Sequence, residues 1–231
     1  MAWMFAHAED DDPASLTEAS DNLSLWLADH LDDTLEGYEV LDLDSETTET
    51  LGQGEVDAEG LVGAAVGHVS EFPADGLGGV NAIPKGTDLS DPGTEGQGRV
   101  YRTDPACFAA RTCDWLESEE WAHDDLPLGV VADTHWYQNW RWVDTAAGPG
   151  MVQRWWTLEP IDFNVGFLDV EHQFYLWVFL PWEDGTSVNV QATWIQATLT
   201  GAPVPEGVAL NMVVDEMKDT ATRLDERYAA P

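Results

Sequence analysis

Apolar side chains at Leu16, Leu23, Trp26, Leu27, Leu31 and Leu35, with His30 among them, recur three, four or seven positions apart and so share one side of a helix. Ser15-Leu16-Thr17-Glu18 has capping-box spacing at its start, and Gly37 is placed to end it. Tyr38 to Asp44 then alternates as a strand. Leu61 to Phe72, small and β-branched, reads as a second strand weakened by Gly63 and Gly67. From Pro73 to Gly98 glycine and proline are dense enough to predict a long loop. Asp104-Pro105 pairs an N-cap acceptor with proline at the first helical position. The helix predicted there runs to about Ala122, lined by Phe108, Thr112, Trp115 and Trp121, with Glu117, Glu119 and Glu120 near its end.

From Gly129 to Thr200 the period changes to two. His135 to Val143 sets Trp136, Gln138, Trp140 and Trp142 on one face, against His135, Tyr137, Asn139, Arg141 and Val143 on the other. Asp144 to Gly150 makes the turn, and Met151 to Glu159 returns with Trp155 and Trp156 on opposite faces, so one of them must meet another layer or solvent. Phe163, Val165 and Phe167 form a short strand. Phe174 to Leu180 is apolar on both faces, the mark of a central strand covered on two sides. After a turn at Asp184-Gly185, the apolar set shifts from Val188, Val190, Ala192 and Trp194 to Ile195, Ala197 and Leu199, which predicts a bulge near Trp194. A closing helix from about Val208 to Tyr228 carries Leu210, Val214, Met217, Ala221, Leu224 and Tyr228 as its inner stripe.

The fold class expected is α+β: a curved antiparallel sheet of about five or six strands, with N-terminal, middle and long C-terminal helices packed on it. Residues 1–14 read as an acidic N-terminal extension. Residues 15–231 read as a single domain with the long loop at about 73–98.

Charge narrows the partners. The 231 residues hold 44 Asp plus Glu against 9 Lys plus Arg, a formal charge of −35. Nucleic-acid backbones and anionic membrane surfaces both require clustered bases, so neither is an expected partner. Self-repulsion of this size is tolerable where molar salt shortens the Debye length to about 3 Å, and bound salt cations are expected. In composition the chain resembles proteins of extremely halophilic archaea and of their viruses. Residues 1–84 contain 20 of the acids and no Lys or Arg, so the first third is the more solvated part or faces a cation-rich partner. No basic n-region precedes the acidic start, so no secretory signal is expected and synthesis is cytoplasmic.

Motifs are sparse. Cys107 and Cys113 lie six apart on the predicted helix and point to different faces, which favours buried free thiols. His123, Asp124, Asp125, Asp133 and His135 are the densest His and Asp grouping; Asp133 and His135 share a strand face and are the metal candidates, though a solvated loop fits as well. Asp169 and Glu171 have same-face spacing for acid–base work, but among so many acids such pairs arise by chance. Asn22-Leu23-Ser24 matches a glycosylation acceptor inside a predicted helix. With no GxSxG, phosphate-binding glycine loop or zinc spacing, neither catalytic residues nor a cofactor are expected, and the chain reads as a non-enzyme.

Ten of the twelve tryptophans fall between Trp115 and Trp194, interleaved with scarce arginines. They can fill a core, line a ligand cleft or anchor an interface; Trp136, Trp140, Arg141, Trp142, Arg154, Trp155 and Trp156 are the interface candidates. In element order the chain resembles the tail-completion and tail-terminator proteins of tailed viruses. That likeness implies a non-enzymatic structural subunit of a halophilic particle, such as a virion tail, neck or capsid-associated component. Its partners would be other protein subunits in a homo- or hetero-oligomer. The alternative is a helix-grip protein that binds a small hydrophobic ligand in a halophilic cytoplasm. Lipid-transfer and polyketide-cyclase relatives of that type also lay a long C-terminal helix over a curved sheet. They begin with a strand and two short helices, whereas this chain opens on a long helix.

Overall fold

Helices cover both faces of one antiparallel sheet in the computed structural model, which describes residues 1–10, 12–51, 56, 61–83, 98–126, 129–199, 202–203 and 206–230. The elements run α1 (Ala2–Ala6), α2 (Ala14–Glu36), β1 (Tyr38–Glu39), α3 (Ser45–Thr50), β2 (Leu61–Ser70), α4 (Ala74–Ala82), β3 (Gly98–Tyr101) and α5 (Pro105–Ala109). They continue as β4 (Trp115–Leu126), β5 (Val130–Thr145), β6 (Gly148–Thr157), β7 (Asp162–Phe163), β8 (Leu168–Pro181), β9 (Ser187–Leu199), β10 (Ala202–Pro203) and α6 (Glu206–Ala229). Among the described residues the sheet has ten strands, in the order β1-β2-β9-β8-β6-β5-β4-β3, with β10 on β9 and β7 on β5. This is the expected α+β class with a curved sheet and N-terminal and long C-terminal helices, on a larger sheet than the five or six strands read from alternation.

The pleat sorts the core into two layers. Phe174, Leu176, Val178 and Leu180 of β8 meet Val188, Val190, Ala192 and Trp194 of β9 on the outer face, where α1 and α2 add Phe5, Leu16 and Leu27. Tyr175, Trp177 and Phe179 point to the inner face, which α4, α5 and α6 cover with Leu77, Phe108, Val214, Met217 and Leu224. The double-sided apolar run at 174–180 therefore has the cause expected of it. At the β1–β2 edge the two helical layers touch: Gly37, at φ +96°, brings the end of α2 so close to α6 that a Cβ there would lie 2.8 Å from Val214. Lys218 of α6 also donates to the Glu36 carbonyl at 3.2 Å.

Several local expectations are corrected. The Asp104-Pro105 cap forms, with the Asp104 carboxylate accepting from Ala106 N at 2.9 Å, but the helix ends at Ala109. Residues 115–126 pair with β5 instead, and Leu116, Ser118, Glu120 and Ala122 alternate inward. Helix α4 occupies the first part of the predicted loop; the remainder, 84–97, lies outside the described residues. The capping box at Ser15 does not form, because α2 starts at Ala14, whose N–H donates to Asp12. The bulge lies in β8 between Val170 and His172, facing Ala197 and Gln196, and not in β9 near Trp194. Strand β1 is two residues long, since Asp44 caps the short helix α3 by accepting from Thr47 N at 2.7 Å.

That bond holds the Asp44 carboxyl below its ordinary pKa. Asp44→Ala is expected to lower stability by about 1 kcal/mol. In the parent protein the Asp44 contribution is fully present above the unfolded-state carboxyl pKa and is lost as pH falls through the lower folded value. Urea unfolding of parent and variant at neutral and acid pH reads both effects.

Candidate functional site

Alternation along β5, β6 and β8 sends every second aromatic to the inner face, beneath α4 and α6. Trp136 contacts Trp155 with centroids 6.1 Å apart, Trp155 stacks on Tyr175 at 5.1 Å, Tyr175 meets Trp177 edge-on at 6.2 Å, and Trp177 stacks on Phe179 at 4.8 Å. The result is a continuous aromatic track across three strands. Trp136 and Trp155 are half-buried at one end, whereas Phe179 is fully buried at the other.

A polar chain runs beside the track. Asn81 of α4 donates to Gln153, Gln153 donates to Gln138 at 3.1 Å, and Gln138 donates to Glu120. Arg99 completes it, with Nε 2.9 Å and Nη2 2.7 Å from the same Glu120 oxygen and a further bond to the Ala82 carbonyl. The Gln138 amide and two guanidinium nitrogens thus converge on one carboxylate that is 1 % exposed, which compensates its desolvation. Tyr175 donates to Gln191, which donates to the Met217 carbonyl of α6 at 2.8 Å. Burial pushes the Tyr175 phenol far above its ordinary pKa, keeping it a neutral donor. At the C-terminal end of α6, Asp225 accepts from Ser70 at 2.7 Å and pairs with His68 at 2.9 Å. The sheet thus grips the helix at two levels. Four buried groups on this face, Ser118 Oγ, Trp140 Nε1, Ser187 Oγ and Asn189 Nδ2, make no hydrogen bond among the described residues.

The sheet divides the seven residues nominated as an interface. Trp136, Trp140, Trp142 and Trp155 lie on the inner face. Arg141, Arg154 and Trp156 lie on the outer face, where Arg141 and Arg154 bond the Asp10 and Phe5 carbonyls of the N-terminal segment. Asp133 and His135 line a cleft of about 460 Å³ at the far end of β4 and β5, together with Trp121, His123 and Glu159. Asp133 is bonded to His123 at 2.6 Å, and His135 sits 3.6 Å from Glu159; among the described residues no three His, Cys, Asp or Glu side chains are placed to hold a metal ion. Asp169 and Glu171 are exposed and flank the bulge in β8. Cys107 and Cys113 are half-buried and joined in a disulfide, not free, because the helix ends before the second cysteine and the chain turns back.

Sequence reasoning missed Arg99, Glu120, Gln153 and Asn81. Gln138, set among tryptophans on one strand face, was the one visible signal for a buried polar chain.

No protein-family model and no curated protein matches the sequence. Among solved structures, the chain is similar to a START superfamily protein from Mycobacterium smegmatis, at 8% identity and TM-score 0.47, covering 72% of this chain and 96% of that one. It is also similar to a STAR-related lipid transfer protein from Xanthomonas axonopodis (15%, TM-score 0.47, 76% and 97%). A third is the Zhui aromatase/cyclase from Streptomyces sp. R1128 (13%, TM-score 0.45, 73% and 91%). The expected virion tail, neck or capsid-associated subunit is corrected here: a long C-terminal helix laid over a curved antiparallel sheet is the arrangement that the alternative reading required. Among the described residues no helix is long and apolar enough to cross a membrane.

Proposed function

We propose that the chain is a helix-grip binding protein for a small hydrophobic molecule, which it carries rather than transforms. The observation that carries this reading is the aromatic track from Trp136 to Phe179, placed on the face that grips α6 and flanked by Ser118 and Asn189 with unused polar atoms. Apolar walls with a few fixed polar groups suit a small ligand. A carrier role is supported by the Ser70, Asp225 and His68 cluster, where the carboxylate lies between the other two. A hydrolytic triad needs the imidazole in that place to take the serine proton.

Titration with an uncharged solvatochromic dye such as Nile red, in about 3 M KCl to screen the acidic surface, is expected to give saturable one-to-one binding with quenching of tryptophan emission. Trp155→Ala is expected to weaken it about tenfold while circular dichroism stays unchanged, in line with the loss of one buried aromatic contact. Non-saturable binding, or equal binding by the variant, would sink the reading.

A further inference from the structure

We propose that the Cys107–Cys113 disulfide is a thiol–disulfide exchange site that latches α4 over the inner face. Its effect on α4 stands on the local geometry alone, and only its consequence for a ligand rests on the function proposed above.

Helix α5 ends at Ala109, and Arg111 then takes φ +52°, the one positive φ at a non-glycine among the described residues. That reversal returns Cys113 to a Cα distance of 5.5 Å from Cys107, within the ordinary span of a disulfide. The ring is small, so it constrains the unfolded chain little compared with a long cross-link. Its action is local: it holds Arg111 in a backbone conformation that a side-chain-bearing residue adopts at a cost.

From that position the Arg111 guanidinium lies 4.2 Å over the Trp142 ring and 2.7 Å from the Asp75 carboxylate in the first turn of α4. Phe108 stacks on the same Trp142 at 5.1 Å and accepts from its indole N–H at 3.1 Å through the backbone carbonyl. Helix α4 needs such ties. It is nine residues long, includes Gly76, Gly78 and Gly79, and has no side-chain cap at Pro73. Three glycines remove most intrinsic helix stability. The helix is therefore held by its anchors, of which Arg111 is the one governed by the disulfide.

Both cysteines are half-buried, within reach of a small thiol. A dithiol thiolate attacks one sulfur, breaking the S–S bond and forming a mixed disulfide. The second thiol of the reductant then closes on the first and releases the other cysteine. Two electrons pass to the chain, the two cysteines end as thiols with the two protons of the reductant, and the reductant leaves as a cyclic disulfide.

Hydrogen exchange followed by mass spectrometry on the full chain in molar KCl, with and without dithiothreitol, tests this. Reduction is expected to speed exchange across 74–82 at least tenfold and to leave β8 and β9 unchanged. Arg111→Ala, kept oxidised, should reproduce the loosened α4. Unchanged exchange at 74–82, loosening of the whole sheet, or two free thiols in the protein as isolated would each overturn the latch. If Nile red never binds, the ligand reading fails while the latch still stands or falls on the exchange data. If the dye binds, its dissociation is expected to be faster in the reduced protein.

Discussion

Arg154→Ala is expected to lower the free energy of unfolding by about 3 kcal/mol, the lower end of the range for breaking a buried ion pair. Arg154 is 2 % exposed on the outer face of β6, and burial pulls its pKa below the ordinary guanidinium value. It donates to the Phe5 carbonyl at 2.8 Å, pairs with the Glu9 carboxylate and stacks over Phe5 and Trp156 at 5.3 and 4.9 Å. Asn139 donates to the same Glu9 at 2.7 Å, so the acidic N-terminal segment is pinned by a cation and an amide from the sheet. The lower figure applies because the Glu9 side chain is 43 % exposed and water can take over part of its solvation. Arg154→Met retains most of the apolar stem and is expected to lose less. Guanidinium chloride would add salt of its own, so urea melts in molar KCl are the suitable measurement. Limited proteolysis should then cut the variant first near residues 11–13. A variant within about 0.5 kcal/mol of the parent, the range of an ordinary surface change, would show that the pair contributes nothing to holding the segment.

This seat was partly legible. The two arginines stood out because bases are scarce, and their strand face followed from the alternation of residues 135–143. Their partners did not, since nothing in an acid-rich first third marks Glu9 off from its neighbours. The same holds on the inner face. The tryptophan excess pointed to residues 136–177, and the register turned it into a track by placing Trp136, Trp155 and Tyr175 on adjacent strands. Glu120 was misread for a physical reason: a proline cap at 104–105 and a Glu-rich stretch both favour a helix locally. Twelve residues of pairing with β5 override that preference.

Helix α4 shows the opposite failure. Its glycines lower propensity enough to read as a loop, yet Gly78 is where Met151 of β6 approaches, with its Sδ 2.9 Å from the position of a Cβ. Close helix–sheet packing, invisible in one dimension, selects the residue that local propensity counts against. The terminal helices were legible because their stripes are long and need no special contact. The long C-terminal stripe of Val214, Met217, Ala221 and Leu224 is buried as spaced.

Glu120→Ala carries the largest expected loss, about 4 kcal/mol, since it strands a guanidinium that is 9 % exposed and leaves the Gln138 amide without its acceptor. Unlike Glu9, Glu120 has no exposure through which water could compensate. Glu120→Gln preserves shape and part of the hydrogen bonding but not the charge, so it should lose roughly half as much. If the cost arises from the unpaired Arg99 and not from lost packing, replacing both partners by Arg99→Met and Glu120→Leu should recover most of it. The double-mutant cycle from urea melts therefore decides the origin: a double variant as unstable as Glu120→Ala would mean that the carboxylate acts through the Gln138 and Gln153 chain. The dye titration adds a second readout. Arg99 also bonds the Ala82 carbonyl at the end of α4, so loss of its partner should loosen the same helix that Arg111 anchors at its first turn. Faster dye dissociation in Glu120→Gln, with the sheet still intact, would place the ion pair and the disulfide loop at opposite ends of one roof.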